Sequence, residues 1–140
     1  MIYRPKHFVV QELVGPEMFA ARGARAFELL RGEALATLDG LREKFGPVLV
    51  NNWHAGGTYK ESGLRDFAST TGAKYSMHRY GGAFDCKFNG VKIRDAYEYV
   101  LAHPEEFPHL TTVENIKATP AWLHFDVRNH DRGGIWVVDP

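Results

Sequence analysis

His78 and Asp85 stand seven residues apart in the run YSMHRYGGAFDCKF (75–88), with Gly81 and Gly82 between them. On one straight strand, residues seven apart point to opposite faces of a sheet and share no partner. The two glycines lack a Cβ and accept positive φ, so a fold-back at 80–82 would let the two side chains converge. A third candidate, His124, lies in WLHFDVR. On a strand there, Leu123, Phe125 and Val127 face one way, and Trp122, His124, Asp126 and Arg128 face the other. A polar row backed by an apolar face suits a cleft floor. Two histidines and one carboxylate make a three-ligand set for Zn²⁺ with the fourth position open, the catalytic arrangement rather than the closed structural one. Zinc so held lowers the pKa of its water to about 7 and polarises a carbonyl. With seven histidines in the chain, such a trio also arises by chance, so spacing alone leaves both readings open.

Elements must bring these residues together. HFVVQELVG reads as a short strand-like segment closed by the turn at Gly15-Pro16. From about Ala24 to Phe45 apolar residues recur at three- and four-residue steps, which predicts a helical stripe. Gly32 weakens its middle, leaving one helix or two, and Gly46-Pro47 ends it. VLVNNW reads as a buried strand, HAGGTYKESGLR as a polar loop, and LRDFASTTG as a weak helix. The His78–Asp85 stretch is expected on strands. VKIRDAYEYVLAHPEEFP follows as a strand end and a helix, with Ala96, Tyr99, Val100 and Phe107 inward. TTVENI, AWLHFDVRN and GIWVV complete a small antiparallel sheet packed against helices, an α+β fold in a single domain spanning 1–140.

Ser76-x-His78-x-x-Gly81-x-Ala83-x-Asp85 matches every fixed position of the SxHxxGxAxD signature, and TPAWLHFDVR resembles the downstream WxHxD motif that carries the last ligand. The chain, over roughly Leu35 to Arg128, therefore resembles the M15 zinc peptidases. That group includes D-Ala-D-Ala carboxypeptidases and L-Ala-D-Glu endolysins, and it shares its fold with the hedgehog signalling domain. The resemblance implies a hedgehog/DD-peptidase-like fold, a zinc ion held by His78, Asp85 and His124, and hydrolysis of peptidoglycan stem or cross-link peptides. It also implies that Arg65, in SGLR upstream of the signature, faces the substrate. One position departs from the pattern. Where well-known members carry a glutamate three residues before the last ligand, this chain has Ala121. Glu114, at the end of TTVE, is the nearest replacement as general base, provided its strand pairs with that of His124. Asp126 is the rival, or else a carboxylate that orients a histidine ligand.

Other polar residues have two readings each. Arg65 could grip a substrate carboxylate with its bidentate fork or make a surface salt bridge. Ser76 could hydrogen-bond substrate or a ligand, or cap its strand. His54 lies in a Gly-rich loop as a rim or solvent-exposed residue. Trp53 and Trp122 read as core, and His130 and Asp131 as turn residues.

Composition excludes several classes. Lys+Arg and Asp+Glu balance at 17 each, so no basic footprint for nucleic acid or an anionic membrane is present. No apolar run approaches the roughly 20 residues of a membrane span. The lone Cys86 rules out an internal disulfide framework and reads as a small core residue. The opening MIYRPKHFVVQELVG lacks signal-peptide architecture. The expectation is a monomer made in the cytoplasm, reaching the cell wall through phage lysis or host export. The alternatives are a non-catalytic metal-bearing module of a virion or cell-wall-binding protein, and an intracellular dipeptidase.

Overall fold

The structure, a computed structural model, describes residues 2–140. Its helices are α1 (Pro16–Arg22), α2 (Gly32–Phe45) and α3 (Ile93–Ala102). Its strands are β1 (Val48–Leu49), β2 (Ala83–Phe88), β3 (Thr112–Glu114), β4 (Leu123–Asp126) and β5 (Trp136–Val138). The sheet order is β1-β2-β4-β3-β5. This is the expected α+β fold with a small sheet. The sheet is mixed, however: β5 runs parallel to β3, and the other pairs are antiparallel.

The predicted helical stripe resolves as 3₁₀ turns over Gly23–Leu29 followed by the single helix α2, while α1 lies before it where no helix was expected. α2 buries Ala34, Leu35, Leu38 and Leu41, the i, i+3/i+4 face that the spacing dictates. It ends where Gly46 takes φ +83° ahead of Pro47. α2 packs on β1 and β2, and α3 on β4. Period-two alternation sends Phe84, Cys86, Val113, Leu123 and Phe125 into the core with those helices. Phe84 and Phe125 are cross-strand partners with ring centroids 5.9 Å apart. Buried leucines of this kind typically cost about 2–5 kcal/mol when cut to alanine. Asp39 on α2 ties down the chain start, accepting from the Tyr3 hydroxyl and the Lys6 amide at 2.7 Å each.

Four expected segments differ. The strand predicted around 7–13 is a 3₁₀ turn at Val10–Glu12, followed by a single bridge from Val14 to Leu64. The strand predicted over 48–53 stops at Leu49, because Asn51 turns its side chain to Val14 O and to the Ser62 amide. LRDFASTTG forms no helix. There Asp66 is spent on the amides of Glu17 and Met18 at the start of α1, while the Ser69 and Thr71 hydroxyls bond Glu61. Side chains bonding locally in this way compete with a helical backbone. Finally, α3 is entered from a turn and not from a strand end.

With the apolar residues inward, the same alternation leaves Asp85, Lys87, Glu114, His124 and Asp126 on the opposite face of the sheet. Among the described residues, no helix is long and apolar enough to cross a membrane.

Candidate metal centre

Cross-strand register builds most of the site. β2 and β4 place Asp85 directly opposite His124. The Asp85 amide bonds Ser62 O at 2.8 Å, on the side away from β4, so Asp85 and His124 form the close, non-hydrogen-bonded type of antiparallel pair. β3 pairs with β4 through Thr112–Asp126 and Val113–Phe125. One step further along that register, Glu114 comes beside His124. Asp85, His124 and Glu114 thus form one row across three adjacent strands.

His78 arrives differently. It sits on a 3₁₀ turn, Met77–Tyr80, rather than on the expected strand. Ser76 caps that turn, its Oγ accepting the His78 amide at 3.3 Å. The turn closes at Gly81, whose φ is +69° and where a Cβ would lie 2.0 Å from Leu29 O. The Gly81 carbonyl in turn accepts the Arg31 amide at the entry to α2. Only glycine satisfies both the backbone conformation and the close approach. The fold-back expected at 80–82 is therefore a helical turn followed by a left-handed glycine.

Three atoms converge. His78 Nε2 lies 3.3 Å from His124 Nδ1 and 3.3 Å from Asp85 Oδ1, and His124 Nδ1 lies 2.8 Å from Asp85 Oδ1. Four donors placed tetrahedrally at zinc bond lengths of 2.0–2.1 Å stand roughly 3.3 Å apart. Two of the three separations equal the edges of such a tetrahedron and the third is shorter, and the trio could hold a metal ion. Both histidines aim a ring nitrogen at that point. His78 Nδ1 donates to Gly63 O at 2.9 Å, which leaves Nε2 facing that point. His124 directs Nε2 to Asp126 Oδ2 at 3.3 Å, which frees Nδ1.

The electrostatics follow from those contacts. Burial works to expel a proton from His124, but hydrogen bonds with Asp126 and Asp85 outweigh it and raise the pKa to about 9. Burial likewise favours a neutral Asp85, and bonds from His124 and His78 hold it well below the usual carboxylate range instead. Asp126 is fully buried and kept ionised, against burial, by His124 and Arg128. Arg128 grips it bidentately, Nε to Oδ1 at 2.8 Å and Nη2 to Oδ2 at 2.5 Å, with its own amide on Oδ1 at 3.1 Å.

The other expected residues fall around this core. Glu114 Oε1 is 3.7 Å from His124 Nδ1 and lines a cleft of about 640 Å³ with Arg65, Ser76, Arg128 and Trp136. Asp126 lies behind the His124 ring, on its Nε2 side. Arg65 is half-buried, and two of its donors hold the carbonyls of Glu61 and Thr71 at 3.1 and 3.0 Å. A purely surface position is thereby corrected: Arg65 lines the cleft and also braces its loop. His54 is exposed and His130 bonds Thr111 O. Trp122 and Trp53 are half-buried at the periphery, not in the core. Arg128 was legible only as a member of the polar row. The Asp126-x-Arg128 spacing on one strand face was the available sign of its clamp.

No protein-family model, curated protein or solved structure matches the chain.

Proposed function

We propose that the protein is a zinc-dependent peptidase acting on peptidoglycan stem or cross-link peptides. The observation that carries the reading is the Glu114 carboxylate, 3.7 Å from the metal-facing nitrogen of His124 on the cleft side of the trio. A free carboxylate next to a three-ligand set with an open position is what acid–base hydrolysis requires. The M15-like signature supplies the substrate class. Bound zinc would contribute Lewis acidity, bringing water to a pKa of about 7 and polarising the scissile carbonyl. Glu114 takes the proton from the attacking water at Oε1 and returns it to the leaving amine. His78 and His124 stay fixed by Gly63 O and Asp126, and the Arg128 clamp keeps Asp126 from turning toward the metal. Arg65 faces the cleft to receive a substrate carboxylate.

The test is turbidity loss of a purified cell-wall suspension. Zinc-loaded protein is expected to clear it and excess chelator to stop it. Glu114→Gln is expected to keep one zinc per chain while losing about 10²–10⁴ in rate, and His78→Ala or His124→Ala to lose the zinc. Stoichiometric zinc in His124→Ala would refute the ligand set. Tight zinc without hydrolysis would identify a binding module, and turnover of free dipeptides alone a dipeptidase.

A further inference from the structure

β2 carries a second recess on the side of the trio away from Glu114. It measures about 330 Å³ and is lined by Tyr59, Lys60, Glu61, Asp85, Lys87 and Trp122 among others. Its two carboxylates are already engaged. Asp85 faces His78 and His124, and Glu61 accepts the hydroxyls of Ser69 and Thr71. Of the polar groups left over, the lysines and the Trp122 indole N–H can only donate, while the hydroxyls of Thr58, Tyr59 and Ser62 can donate or accept. Lys87, two residues beyond Asp85, shares its face of β2. Lys6 and Lys44 pair with carboxylates, whereas the Lys87 ammonium lies 4.1 Å from the Tyr59 ring centre and 5.6 Å from that of Trp122. The Trp122 indole N–H is enclosed with no hydrogen-bond partner. Lys60 is exposed at the margin.

A recess whose free cation and indole N–H can only donate suits an acceptor, and an ammonium beside aromatic faces favours an anion as that acceptor. The anions a peptide carries are carboxylates. We propose that this recess is a subsite for a substrate carboxylate, with Lys87 as its cation and Tyr59 and Trp122 as its walls. The proposal rests on the peptidase reading and adds its specificity: the peptide lies across the trio, one arm in the Glu114 cleft and a carboxylate on the Lys87 side.

The probe is the stem pentapeptide L-Ala-γ-D-Glu-L-Lys-D-Ala-D-Ala, compared with versions amidated at the glutamyl carboxylate or at the C-terminus. Binding to zinc-loaded Glu114→Gln is measured by calorimetry, and kcat/KM with the unaltered protein. Amidation at one of the two positions is expected to weaken binding about 10- to 100-fold. In a Lys87→Met background the same loss should appear on the acid peptide, with no further loss on amidation at the position to which the unaltered protein is sensitive. Equal affinity for all three peptides, or no binding of any, overturns the subsite, and so does a Lys87→Met loss that amidation adds to in full. The amidation comparison stands even if Lys87→Met folds poorly. Carboxylate-dependent binding without hydrolysis would instead leave the subsite in place and remove the peptidase reading.

Discussion

In the metal-free protein His124 keeps its proton up to about pH 9. A group whose folded pKa is raised contributes stability that is full below its unfolded value, about 6.5, and is lost as pH climbs through 9. Asp85 is shifted the opposite way, so its contribution is present above the ordinary carboxylate range and lost as pH falls below it. Metal-free protein should therefore be most stable between about pH 4 and 6.5 and weaken toward pH 9, as denaturant midpoints across that range would show. Metal entry must displace the His124 proton, so about one proton should be released per zinc near neutral pH. Calorimetry in buffers of different ionisation heat measures that number, and a value of zero would mean that His124 is neutral beforehand. Asp126→Asn keeps a hydrogen-bond acceptor but removes the charge behind the ring. It is expected to cut zinc affinity about 10- to 100-fold in chelator competition while leaving turnover per bound zinc nearly intact. At this scale the sequence was informative. Residue type and spacing made His78, Asp85 and His124 candidates, and the likeness to the signature singled them out and pointed to Glu114, but the standing of Asp126 could not be read. Its fate is decided by Arg128, through a bidentate contact that no motif spells out.

Among elements, the turn that carries His78 shows where sequence reading reached its limit. Alternation in 75–88 suggested strands throughout, yet only Ala83–Phe88 is strand. Ser76 opens a 3₁₀ turn before it, and Gly81, which closes that turn, fits against the Leu29 carbonyl at the corner between the first two helices. That corner is a tertiary partner, invisible to local pattern. The same holds for 64–72, where Asp66 caps α1 across the fold instead of joining a helix of its own. Strands fared better: β3, β4 and β5 lie within the expected runs because alternation between core and site faces is strong there. Gly81→Ala puts a side chain into a left-handed backbone, costing about 1–3 kcal/mol before the clash with Leu29 is counted. Thermal melts should show that loss. Zinc affinity should fall with it, since His78 would be displaced; an unchanged affinity would show that the turn shifts as a rigid piece.

For the whole molecule, a metal held by this trio would be a long-range fastening. His78 and Asp85 belong to the stretch that leads into β2, whereas His124 belongs to β4, which meets β2 only in the finished sheet. Zinc at a hundredfold excess over Kd should add about 2.7 kcal/mol to stability, a rise of roughly 5–15 °C in Tm for a chain of this size. Melting with chelator and with zinc measures it, and coincident curves would mean that the native state binds no metal better than the unfolded chain. The strand order holds a further consequence. β4 is made after β3 but sits between β2 and β3, as the sole ladder joining the β1–β2 half of the sheet to the β3–β5 half. Until it slots in, two inner edges stand open, each a template for a foreign strand. Refolding should therefore be a race between this insertion and clumping, with recovered yield dropping as protein concentration rises, and the order in which the pieces close is set by the strand that arrives in the middle.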